Sequence, residues 1–189
     1  GVIEPNTIAV HENGSFGIMG TCRSGSSSNY NYYVGDYLTG GPYSSCVGVS
    51  TFVLRYSANA TLQVAKTVNG GYSPYQQTDL LAFGPDGSLF LSNRYAIMQT
   101  TFGDFTSSTS WSSCGISPSG SSVACVSGWY AKLDPEGEWE WAISDINGIP
   151  SSQSSVCSEL FRKRPTSLYA DSSSNLYVTG ICDNYGSVE

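Results

Sequence analysis

The sequence predicts an all-β chain of antiparallel hairpins, on three observations. Apolar and polar residues alternate with period two through stretches rich in β-branched and aromatic side chains, and no stretch has the spacing of an amphipathic helix. The 189 residues include 21 Gly and 8 Pro, which punctuate those stretches at short intervals. Segments of the chain also align with one another without gaps, the signature of an array built from one supersecondary unit.

Three segments superpose when Gly14, Gly87 and Ser174 are aligned: TIAVHENGSFGIMGTC from Thr7, LLAFGPDGSLFLSNRY from Leu80 and SLYADSSSNLYVTGIC from Ser167. Each reads as an apolar strand, a tight turn (Glu12-Asn13-Gly14, Pro85-Asp86-Gly87, Ser172-Ser173-Ser174) and a second strand ending in small residues. We name these A hairpins. Two B hairpins align in the same way, TFVLRYSANATLQVAK from Thr51 and GWYAKLDPEGEWEWAI from Gly128. Phe52 then matches Trp129, Arg55 matches Lys132, Leu62 matches Trp139 and Val64 matches Trp141. The chain order is A-B-A-B-A, which divides one domain, 1–189, into units of about 6–72 and 78–148 and a half unit at 165–183. Length differences between units fall in Ser/Gly/Tyr-rich loops, where insertions cost little. Such loops are expected at about 23–50, at about 96–127, and before the last A hairpin around Phe161-Arg162-Lys163-Arg164-Pro165. Trp139 and Trp141, two residues apart, are expected on one strand face.

Composition excludes several classes of function. Eight Lys+Arg against 15 Asp+Glu give a net charge of −7, too acidic to neutralise a run of phosphates, so no nucleic-acid partner is expected. Thirteen Tyr, 7 Phe and 4 Trp carry too much apolar area for a disordered chain. Apolar runs are a handful of residues long, so no membrane insertion is expected. Six cysteines at 22, 46, 114, 125, 157 and 182 are widely spaced, with no C-x-x-C pair and a single His to complete a zinc cluster. They read as disulfides of an oxidising compartment. Of the ~15 possible pairings, locality favours Cys22–Cys46, Cys114–Cys125 and Cys157–Cys182. Sequons at Asn13 and Asn59 fall in hairpin tips, the exposed places where a glycan leaves a core undisturbed. The Ser/Thr tracts 106–113 and 151–155 are candidates for O-linked sugars.

An A hairpin followed by a B hairpin makes four antiparallel strands, the size of one propeller blade. Asn175, Tyr177, Val178 and Gly180 of PTSLYADSSSNLYVTG, with Lys132, Gly137 and Trp141 of WYAKLDPEGEWEW, resemble the blade repeat of large secreted bacterial β-propeller proteins. Phe52, Val53 and Arg55 match the start of the second pattern, and Asp171 stands at the family's turn Asp. The resemblance covers the five hairpins, a little under half the chain. Asn93 and Arg94 depart from it where the family has its glycine region, and Gly14-Ser15 replaces Gly-Asn. It implies an extracellular scaffold rather than one reaction. The competing architecture is a double-sheet β-sandwich.

Two and a half blades do not close a ring, since propellers have about 4–8. An incomplete propeller leaves open strand edges. The chain is therefore expected to join copies of itself, into a ring or a filament, or to belong to a larger scaffold. No catalytic, metal or cofactor site is expected: the carboxylates Asp104, Asp134, Asp145, Asp171 and Asp183 are scattered, and His11 reads as a solvated turn residue. The run Arg162-Lys163-Arg164 reads as a solvated loop. The recognition candidate is the Tyr-rich loop 29–43, with Tyr30, Tyr32, Tyr33, Tyr37 and Tyr43, suited to carbohydrate stacking or protein contact. Its competing reading is rings packed down over the blade. The expected function is a non-enzymatic, extracellular, self-assembling structural subunit, with a glycan-binding or adhesive module as the alternative.

Overall fold

The computed structural model describes residues 2–23, 32–36, 38–46, 49–69, 79–96, 100–103, 105–107, 126–144 and 161–184. These form strands and turns, with no helix among them. The first sheet is a meander of β1 (Val2–Val10), β2 (Phe16–Arg23), β5 (Val49–Tyr56) and β6 (Leu62–Asn69), extended by β9 (Thr100–Phe102) and β10 (Phe105–Ser107). The second sheet repeats the meander with β7 (Leu80–Phe83), β8 (Leu89–Ala96), β11 (Val126–Leu133) and β12 (Trp139–Ser144). Two hairpins stand apart, β3–β4 (Tyr32–Gly35, Tyr43–Cys46) and β13–β14 (Phe161–Ala170, Leu176–Asn184). All pairings are antiparallel and no sheet closes on itself. The all-β expectation therefore holds, and the sheets are compatible with blades and with a sandwich alike.

The five aligned turns are one structure. In each, the first residue's N–H donates to the fifth residue's carbonyl and the fourth residue's N–H donates back to the first, as in His11 N→Ser15 O (2.8 Å) and Gly14 N→His11 O (2.9 Å). The fourth residue has a left-handed backbone throughout: Gly14, Ala60, Gly87, Gly137 and Ser174, with φ between 60° and 91°. This is the three-residue hairpin whose last residue must tolerate positive φ. Irregularities recur at equivalent places too. Pro5 and Pro165 each face a glycine, Gly20 and Gly180, beside a one-residue bulge at Asn6 and Thr166. Both B hairpins shift register at the same step, Arg55/Tyr56 and Lys132/Leu133.

Because the turns of a meander alternate ends, all five tight turns lie at one end of their sheets. The segments joining β2 to β5 and β8 to β11 leave from the other end.

The sheets stack face to face. The front face of the first sheet (Met19, Val53, Val64, Val68) packs on the back face of the second (Leu89, Leu91, Trp129, Ala131, Leu133) in one buried cluster. Phe102 of β9 wedges into its rim, 4.9 Å from Trp129 and 5.4 Å from Trp139, edge-on to both. β13 packs across β7, β8 and β11 on the front of the second sheet, where Phe90 is also buried beside Trp141. The β3–β4 hairpin lies as a flap on the back of the first sheet, where Cys22, Val34, Cys46 and Phe52 form a second cluster. Gly35 permits the close approach, because a Cβ there would overlap Pro42 and Ala65.

Several expectations need correction. The register shift leaves Glu140 as an extra residue, so Trp139 opposes Leu133 and Trp141 opposes Lys132. The two rings thus point to opposite faces, Trp139 into the seam and Trp141 toward Phe90. Loop 23–50 contains the β3–β4 flap. Loop 96–127 contributes β9 and β10, which continue the first sheet beyond β6 through Val68–Phe102 pairing. The segment 161–165 is not a loop, since β13 starts at Phe161 and pairs Phe161 with Asn184.

Gly87 and Gly137 separate backbone strain from packing. Their φ values are 86° and 91°, yet a Cβ on Gly87 would meet nothing within 4 Å and one on Gly137 would overlap Val64. Gly87→Ala is expected to cost about 1–2 kcal/mol, the left-handed strain alone, and Gly137→Ala measurably more. Ala60→Gly is expected to stabilise by roughly 0.5 kcal/mol, the relief of that strain less glycine's extra chain entropy. Urea unfolding followed by tryptophan fluorescence ranks the three, and equal losses at the two glycines would contradict the packing of the first sheet against turn 134–138.

Candidate functional site

The predicted binding tyrosines sit on or near the flap. In β3–β4, Val34 and Ser44 share the face turned to the first sheet: Val34 is buried, and the Ser44 hydroxyl lies 2.8 Å from that of Thr67. Alternation then puts Tyr33 and Tyr43 on the opposite, outward face, where their rings meet edge-on with centroids 5.5 Å apart. Tyr33 is half-buried and Tyr43 exposed. The side chain of Tyr32 and all of Tyr30 and Tyr37 lie outside the described residues. The flap is held by the Cys22–Cys46 disulfide, the first predicted pairing, across 24 residues of sequence. A link of that span is worth about 3–4 kcal/mol by chain entropy, and it marks an oxidising environment. Cys114, Cys125, Cys157 and the side chain of Cys182 lie outside the described residues, as do most of the Ser/Thr tracts.

The tight-turn end carries two cavities. One, of about 200 Å³, is lined by three consecutive residues from each A hairpin: Val10, His11 and Glu12, then Phe83, Gly84 and Pro85, then Ala170, Asp171 and Ser172. The alignment makes these triplets equivalent, so the three A turns converge on one point. The other cavity, of about 210 Å³, opens between the first two sheets beside Arg55, Gln63 and Asp86. His11 and Phe83 line both, with rings 5.3 Å apart. His11 Nδ1 accepts from Asn13 N–H (3.4 Å) and its buried Nε2 has no partner among the described residues. His11 is thus half-buried between cavities rather than a solvated turn residue; its neighbour in the next hairpin, Phe83, supplies the cover.

Arg55 crosses from the first sheet to the turns of the second. Its guanidinium donates to the carbonyls of Gly87 (3.3 Å), Asp134 (3.4 Å) and Pro135. Burial lowers its pKa, against the opposing pull of Asp134 and Glu136. The signal in the sequence was a charge at a core-facing position, in line with Thr51 and Val53.

A second polar group sits inside the seam. Asp79 is 7% exposed and accepts hydrogen bonds from the carboxamides of Asn6 and Asn93; these also donate to Thr21 (3.4 Å) and Thr51 (3.0 Å). Asn6, Asp79 and Thr166 are equivalent in the three A hairpins, and Asn93 stands where the others have Gly20 and Gly180. The departure from the blade pattern at Asn93 therefore serves a buried carboxylate. Burial raises the Asp79 pKa despite both hydrogen bonds.

The turns satisfy their own polar groups. Asp171 accepts from Ser173 N–H and Asn175 N–H (2.9 Å each), from the Asn175 carboxamide (3.0 Å) and from Tyr177 O–H (3.1 Å). This is the expected capping role for the turn Asp, and these bonds lower its pKa. Asp86 caps its turn through Ser88, with the same effect. The sequon residues Asn13 and Asn59 are exposed in their turns, their carboxamide oxygens engaged by Ser15 N–H (2.9 Å) and the Thr61 hydroxyl (3.0 Å).

Among the described residues no hydrogen bond joins His11 to a carboxylate or a hydroxyl, and no cluster of His, Cys, Asp and Glu has the makings of a metal site. No described helix is long and apolar enough to cross a membrane. Neither a protein-family model nor a curated protein sequence matches the chain.

The seam carboxylate has a testable pH signature. A raised folded-state pKa means the folded chain holds that proton more tightly, so Asp79 costs stability as pH rises from the unfolded value of about 4 through its folded pKa. Asp86, with its lowered pKa, acts oppositely and loses stability as pH falls. Asp79→Asn is expected to gain on the wild type as pH rises from about 4 to neutral. Thermal unfolding across that range checks this, and parallel profiles would contradict the burial of a charged carboxylate.

Proposed function

We propose that this chain is a non-enzymatic structural unit of an extracellular assembly, made of propeller-like blades whose remaining neighbours come from another copy or from more of the same scaffold. The observation that carries this reading is the repetition of one contact. Two meanders of identical order stack front to back, a third hairpin stacks on them in the same sense, and their A turns converge on one cavity as blades converge on an axis. Flat sandwich packing gives no reason for such convergence. The disulfide-locked flap suits an oxidising exterior. The sequon residues Asn13 and Asn59 are exposed in two of the tight turns, which leaves room for glycans at that end. Among the described residues no nucleophile is paired with a base to favour an enzyme.

A glycan-binding module is the second reading, favoured by the outward pair Tyr33–Tyr43 on the flap. Negative-stain imaging with light scattering on native material separates the two. Rings or polymers are expected under the structural reading, and a 20.1 kDa monomer at all concentrations would overturn it. Under the second reading Tyr33→Ala with Tyr43→Ala abolishes saccharide binding by a monomer; under the first it leaves assembly intact.

A further inference from the structure

The two ends of the stack present two complementary half-faces. On the back of the second sheet, Leu81, Phe83, Leu89 and Leu91 are covered by the first sheet, Leu89 and Leu91 completely. Their equivalents on the back of the first sheet, at an offset of 73 residues, are Ile8, Val10, Phe16 and Ile18. Ile8 and Val10 are 62% and 68% exposed. On the front of the first sheet, Gly17 and Met19 are buried against that same second sheet. Their equivalents in β13–β14 are Tyr177 and Thr179; Tyr177, with Tyr169 across from it, is more than half exposed. Large apolar groups left in water on both ends mark contact surfaces.

We infer that the β1–β2 back face is a docking surface for the β13–β14 front face of a second copy, a partner assignment that rests on the structural reading above. Inside the chain the front residue Gly17 meets Leu81 and Leu89; between copies its equivalent Tyr177 would meet their equivalents, Ile8 and Phe16. The flap sets the size of the partner. It covers Phe52 at the outer half of the first sheet, where the equivalent Trp129 is covered by a neighbouring sheet. A four-stranded neighbour would meet the flap, whereas the two-stranded β13–β14 hairpin needs only the open inner half.

The contact is face to face rather than edge to edge. The edge strand β1 carries Pro5 and a bulge, devices that discourage strand addition. The described residues of each copy present one front and one back half-face and make three radial layers. Two copies closing on each other give six layers, within the range of closed propellers of about 4–8, and satisfy both faces by a two-fold axis.

The test uses the full chain in sedimentation equilibrium. The wild type is expected as a dimer of about twice the 20.1 kDa monomer, and Ile8→Asp or Tyr177→Asp is expected to weaken association roughly tenfold or more. Near-UV circular dichroism verifies that each variant is folded, with Val10→Ser and Tyr169→Ser as milder substitutes if one is not. Mixing the Ile8→Asp and Tyr177→Asp chains is expected to restore part of the association, because one of the two contacts then joins intact faces. A monomeric wild type would overturn this inference and, with it, the self-association arm of the structural reading. An open filament, or association unmoved by all four substitutions, would overturn this interface alone.

Discussion

A β-sheet that is apolar on both faces needs a cover on each, and this demand organises the molecule. The first sheet turns Met19, Val53, Val64 and Val68 one way and Cys22 and Phe52 the other. Burying a side chain of this size is worth about 1.5–3 kcal/mol, so neither face is left to water without loss. The second sheet covers the front, and the disulfide-locked flap covers the outer part of the back. The second sheet repeats the demand: its back meets the first sheet, and its front, with Phe90, meets β13–β14. Stacking is the only arrangement in which every layer serves its neighbour as cover. What remains uncovered at the ends follows from the same rule.

Polar groups in the seam set how the layers sit on one another. Arg55 reaches across to three carbonyls of the second sheet's turns, and Asp79 ties Asn6 of one sheet to Asn93 of the other. Apolar contacts tolerate sliding. Hydrogen bonds to buried charged groups do not, since a displaced partner leaves a desolvated charge. These two groups fix the relative height of neighbouring sheets, at the turn end and toward the opposite end respectively. The equivalent of Arg55, Lys132, stays within its own sheet, paired with Glu140 at 2.7 Å and 5.6 Å above the Phe90 ring.

The hairpins were legible because their signals are local. Gly14, Gly87 and Gly137 announce positive-φ turn positions, and alignment to them located Ala60 and Ser174, whose residue types alone would not. Pairing of Cys22 with Cys46 was legible from proximity in sequence. Trp139 and Trp141 were misplaced because a one-residue bulge reverses alternation and leaves no mark in composition. The strands β9 and β10 were missed because three-residue strands carry too few residues for periodicity; their pairing is decided by the open side of β6 and the slot that Phe102 fills. His11 was misread for a related reason. A turn residue is exposed in its own hairpin, and only the arrival of Phe83 from another hairpin covers it.

Hydrogen exchange measured at two protein concentrations tests the account most directly. If layered faces organise the fold, amides of β2, β5, β8 and β11 form the most protected unit at both concentrations. Those of β1 and β13–β14 exchange faster when dilute and gain protection on concentration, as their outer faces become covered. Protection spread evenly over all strands and indifferent to concentration would contradict it.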